Sequence, residues 1–186
     1  MESLAEELGG LAVTCDVTEW ADQEALVERT LAEYGRIDVA FANAGFGGKR
    51  GFKADTPEFW RAMVLTNVYG AALTIRAAHA ALIEHKGHLL LTSSVAGRRA
   101  LPGSFYSVTK HAVTAMGEAA RQDFNDTGVR VTLIEPGVVD TPFFDDPPKI
   151  KALEADDVAR AILFAVSQPA HVDVNEILIR PTDQPG

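Results

Sequence analysis

Short apolar runs of strand-forming residues alternate with longer helical segments along the whole chain, and this alternation restricts the fold more than any other feature. Strands this apolar, each separated from the next by a helix, are typical of a parallel sheet that is covered on both faces. The sequence therefore predicts a doubly wound α/β domain. The predicted strands are LAVTCDV (11–17), IDVAFANAG (37–45), GHLLLTSS (87–94), VRVTLIEPG (129–137) and VNEILIR (174–180).

Amphipathic helical patterns fill the segments between these runs. Thr18 is the expected N-cap of the first helix, and Pro57 stands in the first turn of the longest one, where a missing N–H is tolerated. No repeat or linker interrupts the pattern, so we expect a single domain over residues 1–186. The irregular segment 141–155 is a candidate lid over a site. The predicted helices cover 19–34, 57–85, 104–126 and 155–167.

The composition excludes several classes of protein. The 186 residues include 17 basic and 26 acidic side chains, and this net charge of -9 argues against nucleic acid as a partner. The lone Cys15 cannot form an internal disulfide, which fits a cytoplasmic protein. MESLAEELGG lacks the features of a signal peptide, and no run is apolar enough to span a membrane. The five histidines show no metal-ligand spacing, so we expect no metal.

Polar or glycine-rich residues stand at the ends of four predicted strands. They are Cys15-Asp16, Asn43-Ala44-Gly45, Ser93-Ser94 and Pro136-Gly137. In open α/β sheets, ligands bind at the carboxyl ends of the strands. The sequence therefore predicts a ligand site at this edge of the sheet.

Tyr106 and Lys110 are four residues apart at the start of a predicted helix, so they share one face. A nearby ammonium favours the phenolate and is expected to lower the pKa of Tyr106 from its usual value near 10. Such a tyrosine can exchange a proton with a substrate oxygen, and the Ser94 hydroxyl can stabilise the same oxygen. Proton exchange at a carbonyl or alcohol is half of an oxidoreduction, and a nicotinamide supplies the hydride.

The chain resembles the short-chain dehydrogenase/reductase family, and the resemblance covers essentially all 186 residues. It implies a Rossmann-like sheet and an NAD(P)-dependent oxidoreductase that interconverts a small alcohol and its carbonyl, with NADP the favoured cofactor. The ending VNEILIRPT resembles a branch that includes 3-oxoacyl reductases and dehydrogenases of hydroxy amino acids. The matching motifs, in order, are CDVT (15–18), NAG (43–45), Asn67 within LTNVYG, SSVAG (93–97), YSVTK (106–110) and PGVVDT (136–141).

The resemblance also implies a role for each matching residue. Tyr106 is the general acid/base, Lys110 lowers its pKa and holds the nicotinamide ribose, Ser94 orients the substrate oxygen, and Asn67 holds a water in a proton relay. The residues expected to contact the cofactor are Asp16 and Val17 at the adenine, Asn43, Ala44 and Gly45 at the adjoining ribose region, Tyr106 and Lys110, and Pro136, Gly137, Val139 and Thr141 around the nicotinamide.

One family feature is missing from this sequence. Members normally begin with a strand and a T-G-x-x-x-G-x-G turn that holds the pyrophosphate, followed by a second strand. The fold is therefore expected to be truncated at its N-terminus by about two strands, which separates 11–17 from 37–45 and exposes two apolar edges. NAGFGGKRG (43–51) is not a substitute, because no helix begins at its glycines.

Several alternatives remain open at this stage. Ser93 is the second candidate for the role of Ser94. Asn67 alternatively kinks or caps a helix. Asp16 is alternatively a simple turn residue at the end of a strand, and Asn43-Ala44-Gly45 alternatively support the neighbouring strand. The chain is alternatively a non-catalytic remnant with a scaffold role, or a serine acyl-hydrolase that uses SVTK (107–110). The two long helices are rich in apolar residues, so a homodimer or homotetramer is expected.

Overall fold

A computed structural model describes residues 2–143 and 150–184 and contains a parallel four-stranded sheet. The strands lie in the order β1-β2-β3-β4, with Val39 opposite His88, His88 opposite Arg130, and Leu133 opposite Glu176. With its flanking helices, this sheet confirms the predicted doubly wound, Rossmann-like α/β fold. The strands are β1 (Val39–Ala42), β2 (His88–Thr92), β3 (Arg130–Pro136) and β4 (Glu176–Ile179).

Each predicted helix is present, with ends that differ by a few residues. The long helix predicted over 57–85 is continuous but contains a π-helical turn, Leu65–Gly70, and Thr56 caps its start by accepting a hydrogen bond from the backbone of Phe59. A short helix also lies at the N-terminus. The helices are α1 (Glu2–Leu8), α2 (Trp20–Tyr34), α3 (Pro57–Val64), α4 (Ala71–His85), α5 (Phe105–Asp123) and α6 (Ala155–Val166), with a 3₁₀ turn at Val95–Gly97.

The predicted strand over residues 11–17 is wrong. This segment has no regular secondary structure and pairs with no described strand. A strand sequence forms a ladder only where a partner strand lies beside it. Among the described residues β1 has a partner strand on one side only, and its side chains Val39 and Phe41 are 45% and 36% exposed.

The segment before α2 and the candidate lid differ from what the sequence predicts. Thr18 does not cap α2, because its hydroxyl donates to Asp16 Oδ1 and the N-cap residue is Glu19, without a side-chain bond. Residues 144–149 of the candidate lid lie outside the described residues. The part that follows is tied to the sheet edge by a bridge between Val139 and Leu153.

The core lies between the sheet and its helices. Leu89 and Leu91 of β2 and Leu133 of β3 are fully buried, together with Leu82 and Phe124 from α4 and the end of α5. No helix within residues 2–143 and 150–184 is long and apolar enough to cross a membrane.

His88 is a buried polar residue at the start of β2. Its Nε2 lies 2.7 Å from Thr132 Oγ1, and the Thr132 hydroxyl donates to Val174 O at 2.6 Å. Because the only hydroxyl hydrogen of Thr132 is used there, Nε2 must be the donor. In the neutral ring Nδ1 is then the acceptor, and it is buried without a partner among residues 2–143 and 150–184. Burial, followed by the charge of Arg130, lowers the pKa of His88 to about 4.

This burial predicts that the protein loses stability on acidification. The unfolded chain takes up the His88 proton near pH 6.5 and the folded chain only near pH 4, so the free energy of unfolding falls as the pH drops through this range. The full loss is on the order of 3 kcal/mol. Urea unfolding of the native protein and His88→Asn at several pH values measures it. The pH-dependent fall in the free energy of unfolding that comes from His88 should be absent from the variant. If the free energies of the native protein and the variant changed in parallel with pH, His88 would not be the cause.

Candidate active site

The carboxyl ends of β1, β2 and β3 meet the start of α5 at one edge of the sheet. Ser104 caps α5 by accepting a hydrogen bond from the backbone of Ser107 at 3.1 Å. This cap places Tyr106 in the first turn and Lys110 one turn later, so that both side chains face the strand ends. The predicted catalytic residues are thereby brought together by a short helix start and two strand ends.

Lys110 is buried and is anchored to the end of β2. Its Nζ donates to Thr92 O at 2.7 Å, and Thr92 Oγ1 donates to Asn43 Oδ1 at 2.8 Å. Burial lowers the pKa of Lys110 to about 8. Gly45 passes close by: a Cβ added there would lie 3.1 Å from Asn67 Oδ1 and 3.6 Å from Lys110 Nζ. A larger residue at position 45 would therefore crowd the ammonium.

The expected lowering of the Tyr106 pKa is wrong for this structure. Burial raises the pKa of Tyr106 to about 12, and a hydrogen bond with Ser94 offsets only part of this effect. The ammonium of Lys110 lies over the tyrosine ring, 5.6 Å from its centroid, and is directed at Thr92 O. Tyr106 is thus a protonated phenol at neutral pH.

The two neighbouring serines have different surroundings. Ser94 lies close enough to Tyr106 to lower the pKa of its phenol slightly, and its hydroxyl donates to Pro136 O at 3.3 Å and accepts from the backbone of Ala96. Ser93 points away, toward Lys110 O at 3.1 Å and Thr114 Oγ1 at 2.7 Å. Of the two, only Ser94 has its hydroxyl at the tyrosine.

Asn67 lies in the π-helical turn and is almost fully buried. Its Oδ1 accepts from Phe46 N at 3.0 Å, and its Nδ2 donates to Phe46 O at 2.9 Å and to Thr109 Oγ1 at 3.1 Å. The Thr109 hydroxyl donates in turn to Tyr106 O at 2.8 Å. The Asn67 side chain therefore joins the loop after β1 to the helix that carries Tyr106. Single π-turns are frequent at functional sites.

A buried ion pair beneath the site was not predicted from the sequence. The Glu135 side chain is 1% exposed, and both of its oxygens accept from Arg98 Nε at 2.8 Å. Thr114 Oγ1 lies 3.3 Å from Glu135 and 2.7 Å from Ser93. The Ser93–Thr114 bond uses one of their two hydroxyl hydrogens, so the other goes to either Glu135 or Lys110 O. An acidic residue inside the apolar run VTLIEPG is the signal that marks the carboxylate.

Asp16 and Val17 lie beside a separate cavity. Asp16 Oδ1 accepts from the backbone and hydroxyl of Thr18, and these bonds lower the pKa of the Asp16 carboxyl. Val17 packs on Gly70, where an added Cβ would lie 2.8 Å from its methyl group. The cavity has a volume of about 140 Å³, and its lining residues include Val17, Ala42, Asn43, Ala44 and Gly70.

The predicted nicotinamide-side residues follow β3 and form a turn held by its neighbours. Gly137 and Val138 lie against the C-terminal segment, where Gln184 Oε1 accepts from Val138 N at 2.9 Å. Val139 pairs with Leu153. The Thr141 hydroxyl accepts from Phe143 N at 3.4 Å, and the Phe143 ring lies 5.6 Å from that of Tyr106. Gln184 was missed because it is far from these residues in sequence.

The residues around Lys110 fit the ribose of a nicotinamide nucleotide. An ammonium carries three hydrogens, and within the described residues one of them is bonded, to Thr92 O. Two donors therefore remain for a diol, beside the close backbone approach at Gly45. In the described part of the chain, no group of three or more His, Cys, Asp or Glu side chains could hold a metal ion.

Comparison with known proteins gives consistent matches along the chain. The family described as enoyl-(acyl carrier protein) reductase matches residues 1–174. The human dehydrogenase/reductase SDR family member 11 is 33% identical over 190 residues, which covers 91% of this chain and 73% of the relative.

Two solved structures superpose closely on the whole chain. An alcohol dehydrogenase from Thermococcus sibiricus, complexed with 5-hydroxy-NADP, is 28% identical with a TM-score of 0.89, and the match covers 81% of that protein. Serine dehydrogenase from Escherichia coli is 31% identical with a TM-score of 0.87, and the match covers 83% of it. Both matches cover 100% of this chain. The chain belongs to the short-chain dehydrogenase/reductase family of oxidoreductases.

Proposed function

We propose that this site interconverts a small alcohol and its carbonyl compound with a nicotinamide nucleotide, and that Tyr106 exchanges the proton. The observation that carries the proposal is the meeting of Ser94, Tyr106 and Lys110 at one strand edge, where Ser94 lies beside the tyrosine hydroxyl and the Lys110 ammonium lies over the tyrosine ring. A bound nicotinamide supplies or accepts the hydride. Tyr106 gives its proton to the carbonyl oxygen, and Ser94 donates a hydrogen bond to the same oxygen as charge develops on it.

Around the cofactor, Lys110 binds the nicotinamide ribose through the two donors that Thr92 leaves free. Pro136, Gly137, Val139 and Thr141 border the nicotinamide, while Asp16, Val17, Asn43, Ala44 and Gly45 border the adenosine side. Asn67 positions the loop after β1 and holds the water of the proton relay. We assign NADP over NAD, supported by the NADP analogue in the Thermococcus sibiricus relative.

The two pKa values predict how reduction depends on pH. With a pKa of about 12, Tyr106 keeps its proton through the neutral range, whereas Lys110 loses its charge near pH 8. We therefore expect kcat/KM for carbonyl reduction to be flat below pH 8 and to fall about tenfold per unit above it. Steady-state rates over this range measure the profile. A profile that stays flat up to about pH 10 would contradict the role of the ammonium.

Nucleotide binding tests the proposal without any need for the substrate. Fluorescence titration of the protein with NADPH and, separately, NADH should show saturable binding, tighter for NADPH. Gly45→Val is a sharp probe, because its side chain would enter the space beside Asn67 and Lys110. It should weaken binding more than Gly10→Val, which changes an exposed glycine where an added Cβ makes only ordinary contact, 3.8 Å from Ala5 O. A folded protein that binds neither nucleotide would instead support a scaffold role.

We also propose that the protein is cytoplasmic, forms one domain over residues 1–186 and assembles with copies of itself. The long helices leave Val64, Tyr69 and Ile83 exposed on one and Val108 exposed on the other. Apolar side chains grouped on such helices are typical of surfaces that pack together. Light scattering of the purified protein should give the mass of a dimer or tetramer.

A further inference from the structure

Basic residues are concentrated on two loops next to the candidate site. Segments 46–55 and 97–104 contain five basic residues and one acidic residue, whereas the remainder of the chain has 12 basic and 25 acidic residues. The two loops therefore form a positive region on a protein that is otherwise strongly negative. Such a region attracts anions and concentrates them locally.

The two loops are joined to each other and to the site. Gly51 N donates to Gly103 O at 2.9 Å, and a Cβ on Gly103 would lie 2.7 Å from Gly51 N, so the backbones are in contact. Gly103 has a positive φ of 63° and precedes Tyr106 by three residues, a span of at most ~11 Å. Loop 46–55 follows directly on Gly45, where an added Cβ would lie 3.6 Å from Lys110 Nζ. Loop 46–55 thus starts beside Lys110 and contacts, at Gly51, the loop that leads to Tyr106.

Four basic side chains of these loops are exposed and make no ion pair with the described residues: Lys49, Arg50, Lys53 and Arg99, which we call the basic rim. The one acid of the loops, Asp55, accepts from Lys49 N at 2.9 Å and forms no ion pair with a described side chain. Four cations against one carboxylate leave the rim with a net positive charge.

An aromatic surface begins at the rim and extends to the start of the helix that carries Tyr106. Phe52, which is 63% exposed, contacts Trp60 with ring centroids 5.9 Å apart. Trp60 stacks on Phe105 at 4.8 Å, and Phe105 adjoins Tyr106 in the chain. An apolar surface with cations at its border suits a ligand that has a carbon skeleton and an anionic end.

We propose that the substrate of this site is a carboxylate, held by the basic rim so that its carbon skeleton lies on the aromatic surface and its reacting carbon reaches Tyr106. Lysine and arginine bind carboxylates through charge-assisted hydrogen bonds. The position of the reacting carbon rests on the proposed function, but carboxylate binding at the rim does not. A small organic acid is favoured over an acidic protein because the rim borders the aromatic surface beside Tyr106.

The experiment uses Trp60 as a reporter of the aromatic surface. The chain has two tryptophans, and Trp20→Phe leaves Trp60 alone. Fluorescence of this variant is titrated with succinate and with dimethyl succinate, which has the same carbon skeleton without charge. We expect saturable binding of succinate and none of the ester, with affinity for succinate falling as salt is raised.

Two triple variants test whether succinate binds at the basic rim. Lys49→Gln/Arg50→Gln/Lys53→Gln should weaken succinate binding about tenfold, because three favourable charges are lost. Arg29→Gln/Arg36→Gln/Arg160→Gln removes the same charge elsewhere and should leave the affinity within about twofold. All six side chains are exposed, and thermal unfolding of both variants verifies that they fold.

The outcomes separate this inference from the proposed function. Equal binding of acid and ester, or equal weakening by the two triple variants, overturns the inference. Binding of polyglutamate without binding of succinate also overturns it, in favour of an acidic protein surface. No nicotinamide is present in the titration, so a protein that binds succinate at the rim but transfers no hydride refutes only the proposed function.

Discussion

Replacement of Tyr106 by Phe is expected to lower turnover roughly 10³-fold, because the phenol is the proton donor of the reaction and general acid catalysis contributes on this scale. The ring is retained, so its contacts with Phe143 and the Lys110 ammonium persist. Nucleotide affinity should therefore change less than about twofold, which places the loss in kcat.

The other two tyrosines of the chain provide matched controls for this variant. Tyr34 and Tyr69 are 50% and 47% exposed, and neither lies among the catalytic residues. Tyr69→Phe removes the same hydroxyl from the same long-helix region as Asn67 and should retain the native rate. If Tyr106→Phe turned over as fast as Tyr69→Phe, the assignment of Tyr106 as the acid would be wrong.

The second large effect concerns stability and the buried pair of Arg98 and Glu135. Replacement of Arg98 by Met leaves a carboxylate that is 1% exposed without its main partner. Breaking a buried pair in this way lowers the free energy of unfolding by 3–5 kcal/mol, and we expect about 3 because the Arg98 side chain is 34% exposed. Urea unfolding at neutral pH measures the change.

Two further variants separate the buried charge from simple loss of packing. Arg98→Met/Glu135→Gln removes the uncompensated charge and should recover most of the lost stability. Glu176→Gln removes only the exposed partner of Arg98 and should change stability by less than about 1 kcal/mol. If the single and double variants were equally unstable, the loss would come from packing. Lower pH should reduce the difference in the free energy of unfolding between Arg98→Met and the native protein, because protonation of Glu135 removes the buried charge.

The apolar strands β2 and β3 could be predicted within one or two residues. Runs such as HLLLT and RVTLIEP are buried on both faces, so their composition alone marks them as strands of a parallel sheet. Residues 11–17 have a similar composition but form no strand, because pairing depends on neighbours that local sequence does not specify. Composition indicates which segments can pair and leaves the pairing itself undetermined.

The site was predictable where residues are close in sequence and unpredictable where they are distant. The four-residue spacing of Tyr106 and Lys110 places both side chains on one helix face, as the structure shows. That spacing does not reveal that Lys110 Nζ points to Thr92 O, nor that burial raises the pKa of Tyr106. Arg98 and Glu135 are 37 residues apart, and only the folded sheet brings them together.

Transfer of an isotope from cofactor to product tests the central claim most directly. The protein is incubated with NADPH deuterated at the transferable position of the nicotinamide and with a panel of small carbonyl compounds, and mass spectrometry follows the alcohols. The account predicts one deuterium on the former carbonyl carbon with the native protein and almost none with Tyr106→Phe. An alcohol formed without deuterium, or a folded protein that binds NADPH and reduces none of the carbonyls, would contradict it.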